Sequence, residues 1–197
     1  MRKEHILEFV YNEFAACGFK RVSVDDLAAK MRISKKTLYE MFSNKEKLFL
    51  EAIKQKSGKI VVATSQISEE CENVLEIIIR CSMHLFDVVS GVSKQFEQDV
   101  MHCAQASEAL EQIKESLLES GKRRFDQGKL EGYLMQDADF EIVGRLLNHQ
   151  VIKMIEQKSE KYTPAQICFN SLVIILRGVC TDKGRGELDR IQEMYLF

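Results

Sequence analysis

Three serines in a stretch of twenty-one residues limit how this chain can fold, because each stands where a helix N-cap is expected. They are Ser23, Ser34 and Ser43. Asp26 follows Ser23 at the N3 position, as in a variant capping box, and Ser34 is expected to cap a helix that ends at Phe42. Ser43 and Glu46 have the spacing of a full capping box, which predicts a fourth helix beginning at Asn44. The caps therefore predict three helix starts in close succession.

The helix before these caps and the two faces of the third helix complete a helix-turn-helix pattern. Apolar residues within Lys3–Cys17 recur at helical spacing, and Gly18 marks the helix end. One face of the third helix is apolar and is formed by Leu38, Met41 and Phe42, with Ile33 next to it. The opposite face carries Lys36 and Glu40. In this motif the second helix enters the DNA major groove, so the pattern predicts DNA binding.

The sequence from Gly18 to Leu48 closely resembles the DNA-binding domain of the tetracycline-repressor (TetR) family. The matching residues are Gly18-Phe19, Val22-Ser23-Val24-Asp25-Asp26-Leu27-Ala28, Ile33-Ser34-Lys35-Lys36-Thr37-Leu38-Tyr39 and Phe42-Ser43-Asn44-Lys45-Glu46-Lys47-Leu48. The resemblance implies an all-helical homodimeric transcription factor, usually a repressor. It also implies a variable C-terminal domain that binds a small effector and dimerises.

The resemblance also assigns roles to individual residues. Ser23, Tyr39 and Lys45 match positions that touch phosphates, and Lys35, Lys36 and Thr37 match the start of the recognition helix. The helix N-termini at Ser34 and Asn44 offer oriented amides to phosphate oxygens. The expected DNA-binding set is therefore Ser23, Ser34, Lys35, Lys36, Thr37, Tyr39 and Lys45. Two residues depart from the family pattern, since Arg32 replaces a turn glycine and Met41 replaces an aromatic residue. The alternatives are an ordinary solvated face for the lysines and packing for Tyr39.

The rest of the chain is predicted to be helical, which makes the fold class all-α. Amphipathic or apolar segments span residues 73–89, 107–126, 140–155 and 164–180, and no strand pattern is convincing. Asn44–Lys56 is expected to be a connecting helix without a flexible linker. We expect a helix-turn-helix domain over residues 1–56 and a helical ligand-binding and dimerisation domain over residues 57–197. Effector binding is expected to shift the connecting helix and so the spacing of two recognition helices.

The last long apolar helices are expected to form a four-helix dimer interface, because apolar residues cover nearly every side of residues 164–180. The predicted interface residues are Phe140, Val143, Leu147, Val151, Met154, Ile167, Leu172, Ile175, Leu176 and Val179. Ile142 and Leu146 widen this stripe. The alternative is a helix buried at the centre of a monomer.

An effector pocket is expected among the helices between Asn73 and Asp126, where soft or polar residues interrupt apolar faces. The candidates are Met83, His84, Phe96, Met101, His102 and Phe125. Each of them could instead be a core filler, a surface group or an interface residue. Lys122-Arg123-Arg124 is interpreted as a solvated helix end, and Gly184-Arg185-Gly186 is interpreted as a turn.

Composition and motifs argue against several other classes. The formal net charge is −2, but residues 1–57 carry +4 and residues 58–197 carry −6, which suits a polyanion-binding module on an acidic body. There is no secretory signal pattern and no apolar run long enough for a membrane span, so a cytoplasmic location is expected. The six cysteines form no C-x-x-C pair, and we predict reduced thiols, no metal site and no cofactor. No phosphate-loop, nucleophile-elbow or zinc-protease motif is present, so no catalytic residue is predicted.

Two other functions stay open at this point. A DNA-binding dimer could recruit a protein partner through its acidic second half and take no small molecule. A thiol-based sensor could use Cys71, Cys81 or Cys103, which would require an exposed thiolate with a lowered pKa.

Overall fold

The computed structural model describes residues 2–147 and 160–195, and most of these residues lie in helices. The helices are α1 (Lys3–Cys17), α2 (Val24–Met31), α3 (Lys35–Phe42), α4 (Lys45–Glu70), α5 (Val74–Ser90), α6 (Lys94–Met101), α7 (Ala104–Leu130), α8 (residues 140–147), α9 (Pro164–Val179) and α10 (Asp182–Met194). Within the described ranges β pairing is limited to one isolated bridge between Leu134 and Cys180. The predicted all-α class, with an N-terminal helix-turn-helix followed by further helices, is confirmed.

The chain divides into two compact units, each with its own apolar core. Unit 1 comprises residues 1–63 and 88–117, and unit 2 comprises residues 64–87 and 118–197. The helices α4, α5 and α7 each contribute residues to both units. These units are defined by which residues pack together. The domains expected from the sequence were defined by function instead, and their boundary after residue 56 stays a prediction.

The core of unit 1 holds the three N-terminal helices together. Phe14 of α1, Leu27 of α2 and Leu38 of α3 are almost completely buried, and the rings of Phe14 and Phe49 meet edge to face at 5.4 Å. Full burial of such a side chain contributes about 1.5–3 kcal/mol. The predicted apolar face of the third helix is confirmed, because Phe42 is buried with Leu38.

Two of the three predicted serine caps are confirmed and the third is wrong. Ser23 forms a capping box with Asp26, and Ser34 accepts the N–H of Thr37. Ser43 instead ends α3 with φ +52°, and its N–H bonds to the carbonyl of Tyr39. The side chain of Asn44 accepts the N–H of Lys47 at 2.7 Å, so Asn44 is the cap and α4 begins one residue later than predicted.

The core of unit 2 is built mainly by α5, α7, α9 and α10. Its most buried members include Leu75, Phe125, Leu172, Leu188 and Ile191. The predicted start of α9 is confirmed, because Thr163 and Gln166 form a capping box with Pro164 in the first turn.

The predicted turn at Gly184-Arg185-Gly186 is wrong, because both glycines lie inside α10. Thr181 caps this helix by accepting the N–H of Gly184 at 3.2 Å. A Cβ on Gly184 would lie 2.1 Å from the carbonyl oxygen of Tyr133. The glycine is required by a close approach between backbones and not by a turn.

Three other features differ from the sequence predictions. The connecting helix α4 continues to Glu70, and α6 was not predicted at all. Lys122–Arg124 lies inside α7, which ends at Leu130, so it is not a helix end. Arg124 is partly buried and donates to Ser68 Oγ at 3.0 Å, because the interior of a long helix can bring a cation against a neighbouring helix.

No helix in the described part of the chain has the length and apolar character needed to cross a membrane.

Candidate nucleic-acid interface and ligand cavity

The turn between α2 and α3 has the hydrogen bonds of a Schellman motif. Arg32 N–H bonds to the carbonyl of Ala29 at 3.1 Å, and Ile33 N–H bonds to that of Ala28 at 3.0 Å. Arg32 adopts φ +56° and ψ +40°, the left-handed conformation that usually belongs to glycine at this position. An arginine therefore occupies a left-handed conformation that is strained for residues other than glycine.

The first turn of α3 is held by an N-cap. Ser34 Oγ accepts the N–H of Thr37 at 3.0 Å and lies 2.8 Å from Thr37 Oγ1. Below this turn Leu38 and Phe42 are buried, while Met41 is partly buried against the same core. Met41 thus packs inward, so the ring that the family often has here is replaced by a core side chain.

The three candidate lysines lie in different environments. Lys36 is the most exposed, with 85% of its side chain accessible, and its ammonium is 3.8 Å from Glu40. Lys35 donates to Asp25 at 2.8 Å, and this bond raises the pKa of Lys35. Both pairs are exposed, so they cost little to exchange for phosphate.

Lys45 is held more firmly than the other two lysines. Its Nζ donates to the carbonyl of Phe19 at 2.5 Å and lies 4.3 Å from the centre of the Phe19 ring. Partial burial lowers the pKa of Lys45. Lys45 therefore has a structural role in closing the turn after α1, in addition to any role in contacting phosphate.

Ser23 and Tyr39, both expected at phosphates, are placed differently from each other. The Ser23 hydroxyl donates to Asp26 Oδ2 at 2.6 Å, which lowers the pKa of Asp26. Tyr39 is exposed, and Lys35 Nζ lies 6.0 Å from its ring centre. Ser23 must give up its bond to Asp26 before it can donate to a phosphate, whereas the Tyr39 ring is already accessible.

All seven predicted DNA-binding residues belong to unit 1 and lie on or beside α2, α3 and the start of α4. Sequence reasoning assigned no contact to Arg32, which is exposed between the two helices. An arginine in place of the usual glycine, between two helices expected at DNA, was the signal that could have made Arg32 a candidate contact.

Unit 2 contains a cavity of about 270 Å³. Its apolar lining consists of Ile67, Ile79, Met83 and Phe169, and its polar lining consists of Arg80, His84, Asp87 and Tyr195. The Arg80 guanidinium donates to Glu70 at 2.7 Å, and this bond raises the pKa of Arg80. Glu76 lies 4.0 Å from the same guanidinium. The cavity thus combines apolar walls with a cation that is already paired.

The structure brings together two of the six predicted effector residues. Met83 and His84 line the cavity, whereas Phe125 is buried in the core of unit 2. Phe96 is buried in unit 1, its ring centre 5.7 Å from that of Tyr11.

The two other predicted effector residues lie in unit 1. Met101 is 68% exposed, and His102 is exposed with its Nδ1 2.6 Å from the carbonyl of Gln98. Sequence reasoning missed Arg80 and Asp87, which share a helical face with Met83 and His84, and this spacing was the available signal.

The predicted dimer residues divide between the core and the surface of unit 2. Val143, Ile167, Leu172 and Leu176 are buried within the single chain, and Phe140, Leu147, Ile175 and Val179 are partly buried against its core. The exposed apolar residues of α8 and α9 are Ile142, Leu146 and Ile174. Val151 and Met154 lie outside the described residues.

The cysteines have no pairing among themselves in the structure. Burial raises the pKa of Cys71 and of Cys81, and it raises that of Cys168 and Cys180 to about 11. A raised pKa disfavours the thiolate that a redox sensor needs, so two of the three candidate thiols, Cys71 and Cys81, do not support that alternative.

Comparisons with known proteins connect this geometry to a family. Residues 6–52 match the family model described as bacterial regulatory proteins, tetR family. No curated protein matches the chain.

Three solved structures share the fold over most of the chain. The ketosteroid transcriptional regulator KstR2 of Mycobacterium tuberculosis is 21% identical, with a TM-score of 0.68 over 92% of this chain and 96% of its own. A putative transcriptional regulator from Saccharomonospora viridis in complex with choline is 15% identical, with a TM-score of 0.76 over 89% and 96%. The regulator FadR from Bacillus subtilis in complex with stearoyl-CoA is 15% identical, with a TM-score of 0.66 over 90% and 100%. Residues 6–52 therefore match the tetR family model, and the rest of the chain shares its fold with these solved structures.

Proposed function

We propose that this protein is a homodimeric, sequence-specific DNA-binding repressor that a small-molecule effector releases from its operator. The observation that carries the proposal is the capped α3 helix, which exposes Lys36 on the side opposite its buried face and Tyr39 at the edge of that side. A helix with one buried and one accessible face suits insertion into the major groove.

In this proposal affinity and specificity depend on different side chains. Lys35, Lys36 and Lys45 neutralise phosphates and supply affinity that falls as salt rises. Thr37 lies in the first turn of α3, where a side chain reaches base edges, and its position is fixed by its bonds to Ser34. Ser23, Ser34 and Tyr39 position the backbone of the DNA.

The effector is proposed to bind in the cavity of unit 2, against Met83 and His84. Two of the solved structures with this fold were determined in complex with a small molecule, choline or stearoyl-CoA, which supports a ligand site in the helices that follow the DNA-binding domain. Ile67 of α4 lines the cavity, and α4 starts directly after the DNA-binding helices. A ligand that moves α4 would thereby change the spacing of the recognition helices in a dimer.

The dimer is proposed to form through α8 and α9. Ile142 and Leu146 are exposed one turn apart on α8, and Ile174 is 71% exposed on α9. Gly144 and Gly178 have no neighbour within 4 Å of where a Cβ would stand, so a partner helix can approach closely there. The buried members of the predicted interface then support this face from within.

The test is selection from a random DNA pool by the purified full chain, followed by titration of the selected site. We expect a two-fold symmetric motif, because a symmetric dimer reads two half-sites one helical turn apart. The same selection with Thr37→Ala should give a degenerate motif, while Lys36→Ala should keep the motif and weaken all binding. Enrichment of no motif, or of an asymmetric one, would contradict the proposal.

A further inference from the structure

The cavity of unit 2 limits the size and the polarity of a ligand. Its volume of about 270 Å³ equals that of about nine water molecules at roughly 30 Å³ each. Its apolar walls are Ile67, Ile79, Met83 and Phe169. A ligand that fills this space has about nine non-hydrogen atoms, most of them apolar.

The two charged residues of the described lining, Arg80 and Asp87, are already engaged within the protein. The Arg80 guanidinium donates to Glu70 at 2.7 Å and lies 4.0 Å from Glu76. Asp87 also takes part in an interaction within the structure. An ionised ligand would lose its hydration in the cavity without gaining a free partner of opposite charge, and burying an unpaired charge is costly. The lining therefore favours an uncharged ligand.

His84 is the lining residue with an unsatisfied polar atom. Its Nε2 is buried and has no hydrogen-bond partner among the described residues. Such an atom destabilises a protein, because it has lost its bonds to water without gaining others. Since His84 lines the cavity, rotation of its ring about the Cβ–Cγ bond can present this nitrogen to a ligand, which then supplies the missing hydrogen bond.

The chemistry of an imidazole nitrogen indicates which polar group fits it. In a neutral ring each nitrogen either donates or accepts, depending on the tautomer, and a hydroxyl group can do both. A hydroxyl group therefore matches His84 in either tautomer and adds no charge to the cavity.

From these contacts we infer that the cavity binds a small uncharged alcohol, with its apolar body against Ile79 and Phe169 and its hydroxyl group bonded to Nε2 of His84. The inference rests on the proposed function, because it names the chemical class of the effector. It requires no covalent step, and the ligand is exchanged reversibly.

The experiment uses three probes with the same tail and different head groups, 1-octanol, octylamine and octanoate, in calorimetric titrations of the full chain without DNA. At about pH 8 a free imidazole is neutral, whereas the amine and the carboxylate are ionised. We expect octanol to bind at least about tenfold more tightly than either ion. This ranking is measured on the unmodified chain and does not depend on the folding of any variant.

Two variants of His84 test the hydrogen bond itself. His84→Phe keeps an aromatic ring without a nitrogen, and the affinity for octanol should fall about fivefold. His84→Gln keeps a side-chain amide that can donate or accept, and it should stay within about twofold of the unmodified chain. His102→Phe is the matched control, because His102 is exposed and does not line the cavity, and it should bind all three probes like the unmodified chain. Thermal melting confirms that each variant is folded.

Four outcomes would overturn the inference. They are tighter binding of octylamine or octanoate than of octanol, undiminished octanol binding by His84→Phe, an equal loss in His84→Phe and His84→Gln, and failure of all three probes to bind. Because DNA is absent, these outcomes are independent of the selection of an operator, which tests the proposed function by itself.

Discussion

Arg32 has a backbone conformation that suits glycine better than arginine, and it lies beside the proposed DNA-binding helices. A non-glycine residue in the left-handed region costs about 1–2 kcal/mol, and the two backbone hydrogen bonds of the turn hold Arg32 there. Arg32 is exposed at the turn between the two helices of the proposed DNA-binding motif. We interpret the strain as the cost of placing a cation where glycine would fit better.

Replacing Arg32 with glycine is expected to raise the free energy of unfolding by up to about 1 kcal/mol, since part of the gain is offset by the greater entropy of glycine in the unfolded chain. The melting temperature should then rise by about 2–4 °C, as measured by circular dichroism. Arg32→Lys is the matched control, because it keeps both the charge and the strained conformation and should melt with the unmodified chain. A lower melting temperature for Arg32→Gly would show that the arginine side chain makes a stabilising contact.

Lys45 should have two separable roles. Lys45→Ala removes the bond to the Phe19 carbonyl and is expected to lower the free energy of unfolding by about 1–2 kcal/mol. If Lys45 also contacts a phosphate, the slope of log affinity against log salt should fall by about one. Lys36→Ala is the control, because Lys36 is exposed and should change the salt slope without changing the melting temperature. A lower melting temperature with an unchanged salt slope would leave Lys45 with a structural role alone.

At the level of the helices, features that depend on residues close in the sequence were predicted, and features that depend on residues far apart in the sequence were missed. The starts of α2 and α3 were predicted because Ser23 and Ser34 bond to residues three positions away. The cap of α4 was misplaced because Ser43 and Asn44 are both good caps, and only the positive φ at Ser43 decides between them. Helix α10 was missed because the reason for Gly184 is the carbonyl of Tyr133, about fifty residues earlier in the chain.

The same limit explains the candidate ligand site. Met83 and His84 were found because soft and polar residues on an apolar helix can be recognised locally. Phe96 and Phe125 were assigned to the pocket although both are core residues, because burial depends on what packs against a helix and not on its own pattern. Phe169 of α9 also lines the cavity, but no short stretch of sequence shows that it packs beside α5.

The two glycines of α10 provide a matched test at this scale. Gly184→Ala would place a Cβ 2.1 Å from the Tyr133 carbonyl oxygen, so the helix must shift, and we expect a loss of about 1–3 kcal/mol. Gly186→Ala meets nothing within 4 Å, and it should raise stability by about 0.5–1 kcal/mol because alanine is the better helix former. Urea unfolding of both variants measures the two free energies. Equal effects from the two substitutions would mean that α10 does not approach Tyr133 as described.

At the scale of the whole molecule, the proposed dimer explains an otherwise unfavourable surface. Ile142, Leu146 and Ile174 leave apolar side chains in water on the two helices that the sequence assigned to dimerisation. Exposed large apolar groups on neighbouring helices are typical of protein–protein contacts. A two-fold axis through this face would cover the same residues in both chains.

Ile174→Glu is expected to produce monomers, because two glutamates would be brought together and dehydrated at a symmetric contact. Sedimentation velocity should show the monomer mass for this variant and the dimer mass for the unmodified chain. Val89→Glu is the matched control, since Val89 is 57% exposed but lies on α5, and it should remain a dimer. The monomer should also bind the selected DNA more weakly, because it contacts one half-site with its one recognition helix, whereas a dimer contacts both half-sites at once. A dimeric Ile174→Glu with unchanged DNA affinity would place the contact between chains on another surface and would separate the function of α9 from dimerisation.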